Sequence, residues 1–178
     1  MMISNPIIEE GLTVTHPKKT RETVRAIITN EQNELLMLYS KIFNDYTFPG
    51  GGVKYHETDE EALKRELKEE LGAEEITIHG YLGFIEEIRY GLNDNDHVYL
   101  QTSRYYMVSV HKFGETHLMG REQLHGLSPK WINSEDAILH NENVKNDDKH
   151  QKKGLRTVLL RECEVLKTLR RYITHEKI

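Results

Sequence analysis

The chain has one cysteine, Cys163, among 178 residues, which excludes an internal disulfide and leaves no thiol spacing for a structural zinc site. Nowhere do eighteen apolar residues run together, so no membrane-spanning helix is expected. The opening MMISNPIIEEGLTVTHPKK holds no apolar stretch of signal-peptide length. Basic residues are not in excess either: 24 lysines and arginines stand scattered against 29 acidic residues, which gives no electrostatic footprint for duplex nucleic acid or an anionic membrane surface. Repeats and low-complexity tracts are absent. The expectation is a soluble, cytoplasmic protein, with 37% apolar residues in a length that suits one core rather than two.

What is present is a strand-rich first two-thirds interrupted by one acidic helix. Thr23 to Thr29 (TVRAIIT) and Leu35 to Tyr39 (LLMLY) read as strands about a turn at Asn30 to Asn33, hence as a hairpin. Tyr46-Thr47-Phe48 is a short extended piece stopped by Pro49 and three glycines, Gly50-Gly51-Gly52, where the backbone can approach an ion or phosphate closely. Ile76 to Tyr90 and Val98 to Val110 form a second hairpin across a turn-rich link. Residues 111–130 read as loop, Lys130-Trp131-Ile132 as a short strand, and Ser134 as the N-cap of a helix. Asn141 to Lys153 reads as a solvated connector, and Leu155 to Ile173 as an amphipathic helix with apolar residues at i, i+3 and i+4.

The acidic helix raises the functional question. Thr58 with Glu61 is a capping-box pair and Gly72 a C-terminal stop, so Leu63, Leu67 and Leu71 align as a core-facing stripe. Glu66, Glu69 and Glu70 then gather on an adjoining face, with Glu57 just before the helix start. Four negative charges converge. A solvated acidic face is the plain alternative, but like charges at these spacings oppose helix formation, and Glu70 lies near the end where the macrodipole disfavours an anion. Clustered carboxylates beside a glycine loop are what hard, oxygen-seeking Mg²⁺ or Mn²⁺ ions require.

Gly51, five residues, Glu57, seven residues, then Arg65-Glu66-Leu67-Lys68-Glu69-Glu70-Leu71-Gly72 resembles the signature of the Nudix hydrolase superfamily (MutT-like) at every charged and glycine position. Ala73, where a larger aliphatic residue is usual, is the one departure, and Phe48-Pro49-Gly50-Gly51 resembles the family's approach to the box. The resemblance implies an α/β (α+β) fold with a mixed β-sheet between helices, here with an additional C-terminal helix, and metal-dependent hydrolysis of a nucleoside diphosphate linked to another group X. It implies Glu66, Glu69 and Glu70 as ligands of Mg²⁺ or Mn²⁺ with the Gly51 carbonyl, Arg65 orienting the carboxylates, and Glu57, Gly50 and Gly52 supporting the site or the phosphates. For the general base it leaves Glu66 in the box and Glu122 on a distant loop, with Glu115 a second loop choice and Tyr90 a weak substrate contact.

Glu86 and Glu87 point to opposite faces of their strand, so at most one can look into the cleft. Ten histidines lack ligand spacing and read as surface residues, while Tyr99, Tyr105 and Tyr106 read as sheet packing. The downstream proline of ADP-ribose hydrolases is missing, since Pro129 is the only proline after Pro49. The substrate stays open among nucleoside triphosphates, dinucleoside polyphosphates and nucleotide sugars. A catalytically silent nucleotide-sensing Nudix module is the alternative, against which the complete carboxylate set speaks. An isoprenoid diphosphate isomerase needs a cleft cysteine, whereas Cys163 falls on the terminal helix. The expected organisation is an N-terminal extension (1–19), a Nudix domain (20–146), and a connector with a helix (147–178) that packs on the domain or on the partner of a homodimer.

Overall fold

A computed structural model of the chain describes residues 1–17, 19–91, 97–116, 118, 123 and 125–175, with side chains to residue 171. Its elements are β1 (Ile7–Ile8), β2 (Lys19–Ile27), β3 (Leu35–Ser40), β4 (Asp45–Thr47), α1 (Asp59–Leu71), β5 (Ala73–Tyr90), β6 (Val98–Phe113), β7 (Leu127–Ile132), α2 (Ser134–Val144) and α3 (Val158–His175). A mixed four-stranded sheet runs β1-β5-β6-β2, and a second, antiparallel sheet runs β4-β3-β7.

The period of two along a strand divides the core. In β3, Leu36 and Leu38 join Val24, Ala26 and Ile28 against Ala62, Leu63, Leu67 and Leu71 of α1. Leu35 and Met37 turn the other way and meet Phe48, Tyr105, Ala137 of α2, and Val165, Leu166 and Leu169 of α3. Strands with both faces buried explain why LLMLY is continuously apolar rather than alternating. The expected sandwich of sheet between helices is present, and Leu159, Val165, Leu166 and Leu169 of the terminal helix are buried within the chain. Cys163 lies buried on that helix.

The β5–β6 hairpin forms as expected, from Ile76 opposite Val110 to Tyr90 opposite Val98, with local register shifts. The first expected hairpin does not. β2 and β3 share a single bridge, Thr29 with Leu35, and then part into different sheets. The reason lies on the edge of β2 away from β6, where the glycine loop zips on: Val53 N–H bonds Glu22 O at 3.0 Å, Val24 N–H bonds Gly51 O at 2.9 Å, and Ala26 N–H bonds Pro49 O at 2.9 Å. A strand edge occupied by a loop cannot also pair with its neighbour.

Smaller corrections follow the same logic of tertiary pairing. β6 extends to Phe113 and β7 begins at Leu127, where it pairs with β3, so the segment read as loop is shorter than expected. The N-cap of α2 is Asn133 rather than Ser134, its side chain accepting the Glu135 N–H at 2.9 Å. The connector is partly interior: Asn141 is buried and brackets Tyr46 by accepting its N–H and donating to its carbonyl, and His150 is buried against Asp45. The first residues pair with β5, Ile7 opposite Glu87 and Ile8 opposite Ile88.

Leu166→Ala should cost about 2–5 kcal/mol of stability by urea denaturation, against a change within about 0.5 kcal/mol for exposed Leu139→Ala. A terminal helix docked only on a second copy would leave dilute protein equally stable in both variants.

Candidate active site

Helix α1 is built as its sequence demands. Thr58 and Glu61 close the capping box, the Thr58 N–H reaching Glu61 Oε2 at 2.8 Å, and Gly72 at φ 68° ends the helix with its N–H on the Leu67 and Lys68 carbonyls. Arg104 of β6 clamps the first turn through both oxygens of Asp59, at 2.6 and 2.7 Å. Leu63, Leu67 and Leu71 are buried, which fixes the rotation of the helix and sets Glu66 and Glu70 under the glycine loop.

Contact there is close. A Cβ on Gly51 would lie 2.5 Å from the Glu66 carboxylate, so glycine is required for the loop to pass over it. Gly50 adopts φ 127°, and a Cβ there would collide with the Val24 carbonyl. Its N–H donates to Glu70 Oε2 at 2.7 Å.

Arg65 binds the parts together. Its Nε and Nη2 donate to the two oxygens of Glu57 at 2.7 and 2.8 Å, Nη1 to Glu66 Oε1 at 2.6 Å, and Nη2 also to Gly52 O at 2.9 Å. Glu69, more exposed, lies 3.9 Å from Nη1. The Arg65 hydrogen bonds hold the Glu57 carboxyl down at about 2 and push the guanidinium well above its ordinary value.

Glu57, Glu66, Glu69 and Glu70 therefore share one neighbourhood, as the helix spacing predicts, but each of the first two and Glu70 faces a donor rather than one another. Among the described residues no three carboxylate, histidine or cysteine side chains stand in a metal-holding arrangement. A divalent cation is what would bring such like charges together. The donor chemistry suits such a cation: hard anionic oxygens on one helix face beside a backbone carbonyl, Gly51 O, whose second lone pair is not needed by Val24.

The remaining candidates among the described residues, Glu115 and Tyr90, are not gathered here. Glu115 is exposed beyond β6, its backbone packed near Gly72. Tyr90 lies under Lys153, whose Nζ is 4.0 Å from the ring centroid. Glu122 lies outside the described residues. Glu87 is fully buried and accepts from Arg161 Nη1 at 2.7 Å and Gln101 Nε2 at 2.9 Å, leaving Glu86 on the other face. Tyr105 is core, and Tyr106 bonds Asp59 at 2.5 Å.

From the glycines a cavity of about 370 Å³ runs inward, reaching Arg21, Arg25, Arg89, Gln101, His150 and Arg161. None of these was singled out by the sequence. They are lone polar residues on β2, β5, β6, the connector and α3, brought together by strand register, with Arg89 opposite Tyr99 and Gln101 opposite Glu87, and by the docking of α3.

The acidic helix thus lies under a glycine loop, with the sheets between α1 on one side and α2 and α3 on the other. The NUDIX domain family model matches residues 19–156, and the chain belongs to that family. An RNA pyrophosphohydrolase of Marinomonas sp. (strain MWYL1) is 50% identical over 52 residues, 29% of this chain and 32% of that protein. One of Acinetobacter baylyi is 32% identical over 97 residues, 51% of this chain and 58% of that protein. The chain thus spans less than two thirds of the length of these relatives. A NUDIX hydrolase from Nitrosomonas europaea shares the fold, with a TM-score of 0.55 and 18% identity over 84% of this chain and 88% of that one. Among the described residues no helix is long and apolar enough to cross a membrane.

Glu57 provides a check on the Arg65 clamp. Its folded-state value near 2 lies below the ordinary 4.5, so its contribution to stability is complete above about 4.5 and fades as pH falls toward 2. Glu57→Gln should flatten that section of the acid-unfolding profile and leave stability at pH 7 lowered. Parallel acid profiles for variant and wild type would refute the clamp.

Proposed function

We propose that the protein is a metal-dependent pyrophosphohydrolase that cleaves a nucleoside diphosphate linked to another moiety, a nucleoside triphosphate, dinucleoside polyphosphate or nucleotide sugar. The observation that carries this reading is the seating of Glu66 and Glu70 beneath a loop whose Gly51 has room for a carboxylate only because it lacks a side chain. The partial matches to proteins named RNA pyrophosphohydrolase support a pyrophosphate as the bond attacked.

In this reading Glu66, Glu69 and Glu70 would hold a Mg²⁺ or Mn²⁺ ion with the Gly51 carbonyl. When bound, the ion neutralises phosphate oxygens and makes a bound water more acidic. Arg65 keeps Glu66 turned toward the loop and anchors it through Glu57 to the residues before the helix. Glu66 is the box carboxylate that accepts the water's proton, and Glu122 is the loop candidate for the same step. The side-chain-free backbone at Gly50 and Gly52 gives the phosphates a close approach, the Gly50 N–H itself being engaged by Glu70. The reading takes the substrate as a small nucleotide, the compartment as the cytoplasm, and residues 20–146 as the hydrolase domain.

The first experiment is a phosphate-release screen with Mg²⁺ and Mn²⁺ across nucleoside triphosphates, dinucleoside polyphosphates, ADP-ribose, nucleotide sugars and RNA bearing a terminal pyrophosphate. Glu70→Gln serves as the blank. A glutamine oxygen can still accept the Gly50 N–H, so folding should survive while kcat/KM falls by about two orders of magnitude or more. Equal turnover in variant and wild type would overturn the metal-site assignment. Silence across the panel with nucleotide binding intact would favour a sensing module on the same fold.

A further inference from the structure

The loop over Glu66 contains three consecutive glycines and has little of its own to keep it in one shape, because glycine backbone enters conformations closed to other residues. Its shape is imposed from outside. Arg25 donates to the Phe48 and Gly50 carbonyls at 3.0 and 2.6 Å, Ala26 N–H holds the Pro49 carbonyl at 2.9 Å, and Glu70 accepts the Gly50 N–H at 2.7 Å. Those partners belong to β2 and α1. The Phe48 N–H is held differently: β4 ends at Thr47, and the donor reaches across to Glu162 Oε2 of α3 at 2.9 Å.

Glu162 is wholly buried, and Arg161 beside it nearly so. Arg161 donates Nε and Nη2 to Glu162 Oε1, at 3.0 and 2.5 Å, and Nη1 to Glu87 Oε2 at 2.7 Å, which leaves Glu162 Oε2 turned to the Phe48 N–H. Docking of the helix does not require this carboxylate. Leu159, Val165, Leu166 and Leu169 are already buried along it, whereas a carboxylate carried from water into a core is costly even when paired. What a carboxylate adds is an acceptor at one fixed point, since a charge-assisted bond is directional as well as strong. Pro49, with its ring-locked φ, comes next in the chain, and Gly50 and Gly51 follow it.

We infer that Glu162, oriented by Arg161, is a positioning residue of the candidate active site: it fixes where the glycine loop starts and so holds Gly50 and Gly51 over Glu70 and Glu66. Both residues lie beyond residue 156, where the family match ends, so the loop is set by a helix outside the matched segment. The restraint on the loop is testable without metal or turnover. Its consequence for a metal ion, that the Gly51 carbonyl is kept beside the carboxylates that would hold the cation, rests on the hydrolase reading.

The test is amide hydrogen exchange by NMR in EDTA on wild type, Glu162→Gln, Glu162→Ala and, as a buried control further along the same helix, Leu169→Ala. In Glu162→Gln the two charged N–H groups of Arg161 keep the single amide oxygen, which turns the NH₂ toward the Phe48 N–H, so the bond is lost while the volume is kept. That variant carries the test should Glu162→Ala fail to fold. The Gly50 amide, bonded to Glu70, and the Ala26 amide, bonded to Pro49, should exchange about tenfold faster relative to Leu67 in the Glu162 variants. Leu169→Ala should keep the wild-type ratio. An unchanged ratio in Glu162→Gln, or the same rise in Leu169→Ala, overturns the positioning role. Electron paramagnetic resonance of free Mn²⁺ then reads metal binding, whose dissociation constant should rise about tenfold in the Glu162 variants and stay unchanged in Leu169→Ala. Faster exchange with unchanged Mn²⁺ affinity also overturns the positioning role. A wild type that binds no Mn²⁺ overturns the hydrolase reading, and the exchange ratio alone then decides the restraint on the loop.

Discussion

A single guanidinium holds the site together. Arg65 reaches Glu57 before the helix, Glu66 on the helix and the Gly52 carbonyl in the loop, so three segments are fixed to one planar group. Charge-assisted bonds of this kind are directional as well as strong, and Arg65 is only partly exposed, which spares them full screening. The acidic face is thereby tolerable: carboxylates that would repel one another are each assigned a donor.

The loop over that helix is equally constrained from the other side. It is hydrogen-bonded along the edge of β2, and its glycines are required by what lies beneath and beside them, the Glu66 carboxylate under Gly51 and the Val24 carbonyl beside Gly50. Phe48 N–H, at the entry to the loop, donates to Glu162 of α3 at 2.9 Å, while Arg25 of β2 holds the Phe48 and Gly50 carbonyls. The terminal helix is therefore bonded to the approach of the site as well as packed in the core.

Local signals were legible in the sequence because their physics is local. The Thr58–Glu61 box, the Gly72 stop, the leucine stripe and the i, i+3, i+4 carboxylates depend only on helix geometry, and each forms as read. The parting of β2 from β3 was not legible, since it depends on the loop after β4 competing for the same strand edge. The cavity was hidden for a related reason: Arg25, Arg89, Gln101 and Arg161 carry no periodicity or spacing, and they meet only through sheet register and the docking of α3. His150 sat in a stretch whose polarity reads as solvated, yet Asp45 of β4 gives it a partner in the interior.

The separation of these parts along the chain has a further consequence. The carboxylate helix and its loop occupy one uninterrupted stretch, whereas the cavity wall is drawn from β2, β3 and β4 before it and from β5, β6, the connector and α3 after it. Changes to that wall alter the volume and charge met by a bound molecule without disturbing a single contact of Arg65. Every residue that Arg65 hydrogen-bonds lies between Gly52 and Glu66, so substitutions on β5, β6 or α3 that face the cavity leave those bonds in place.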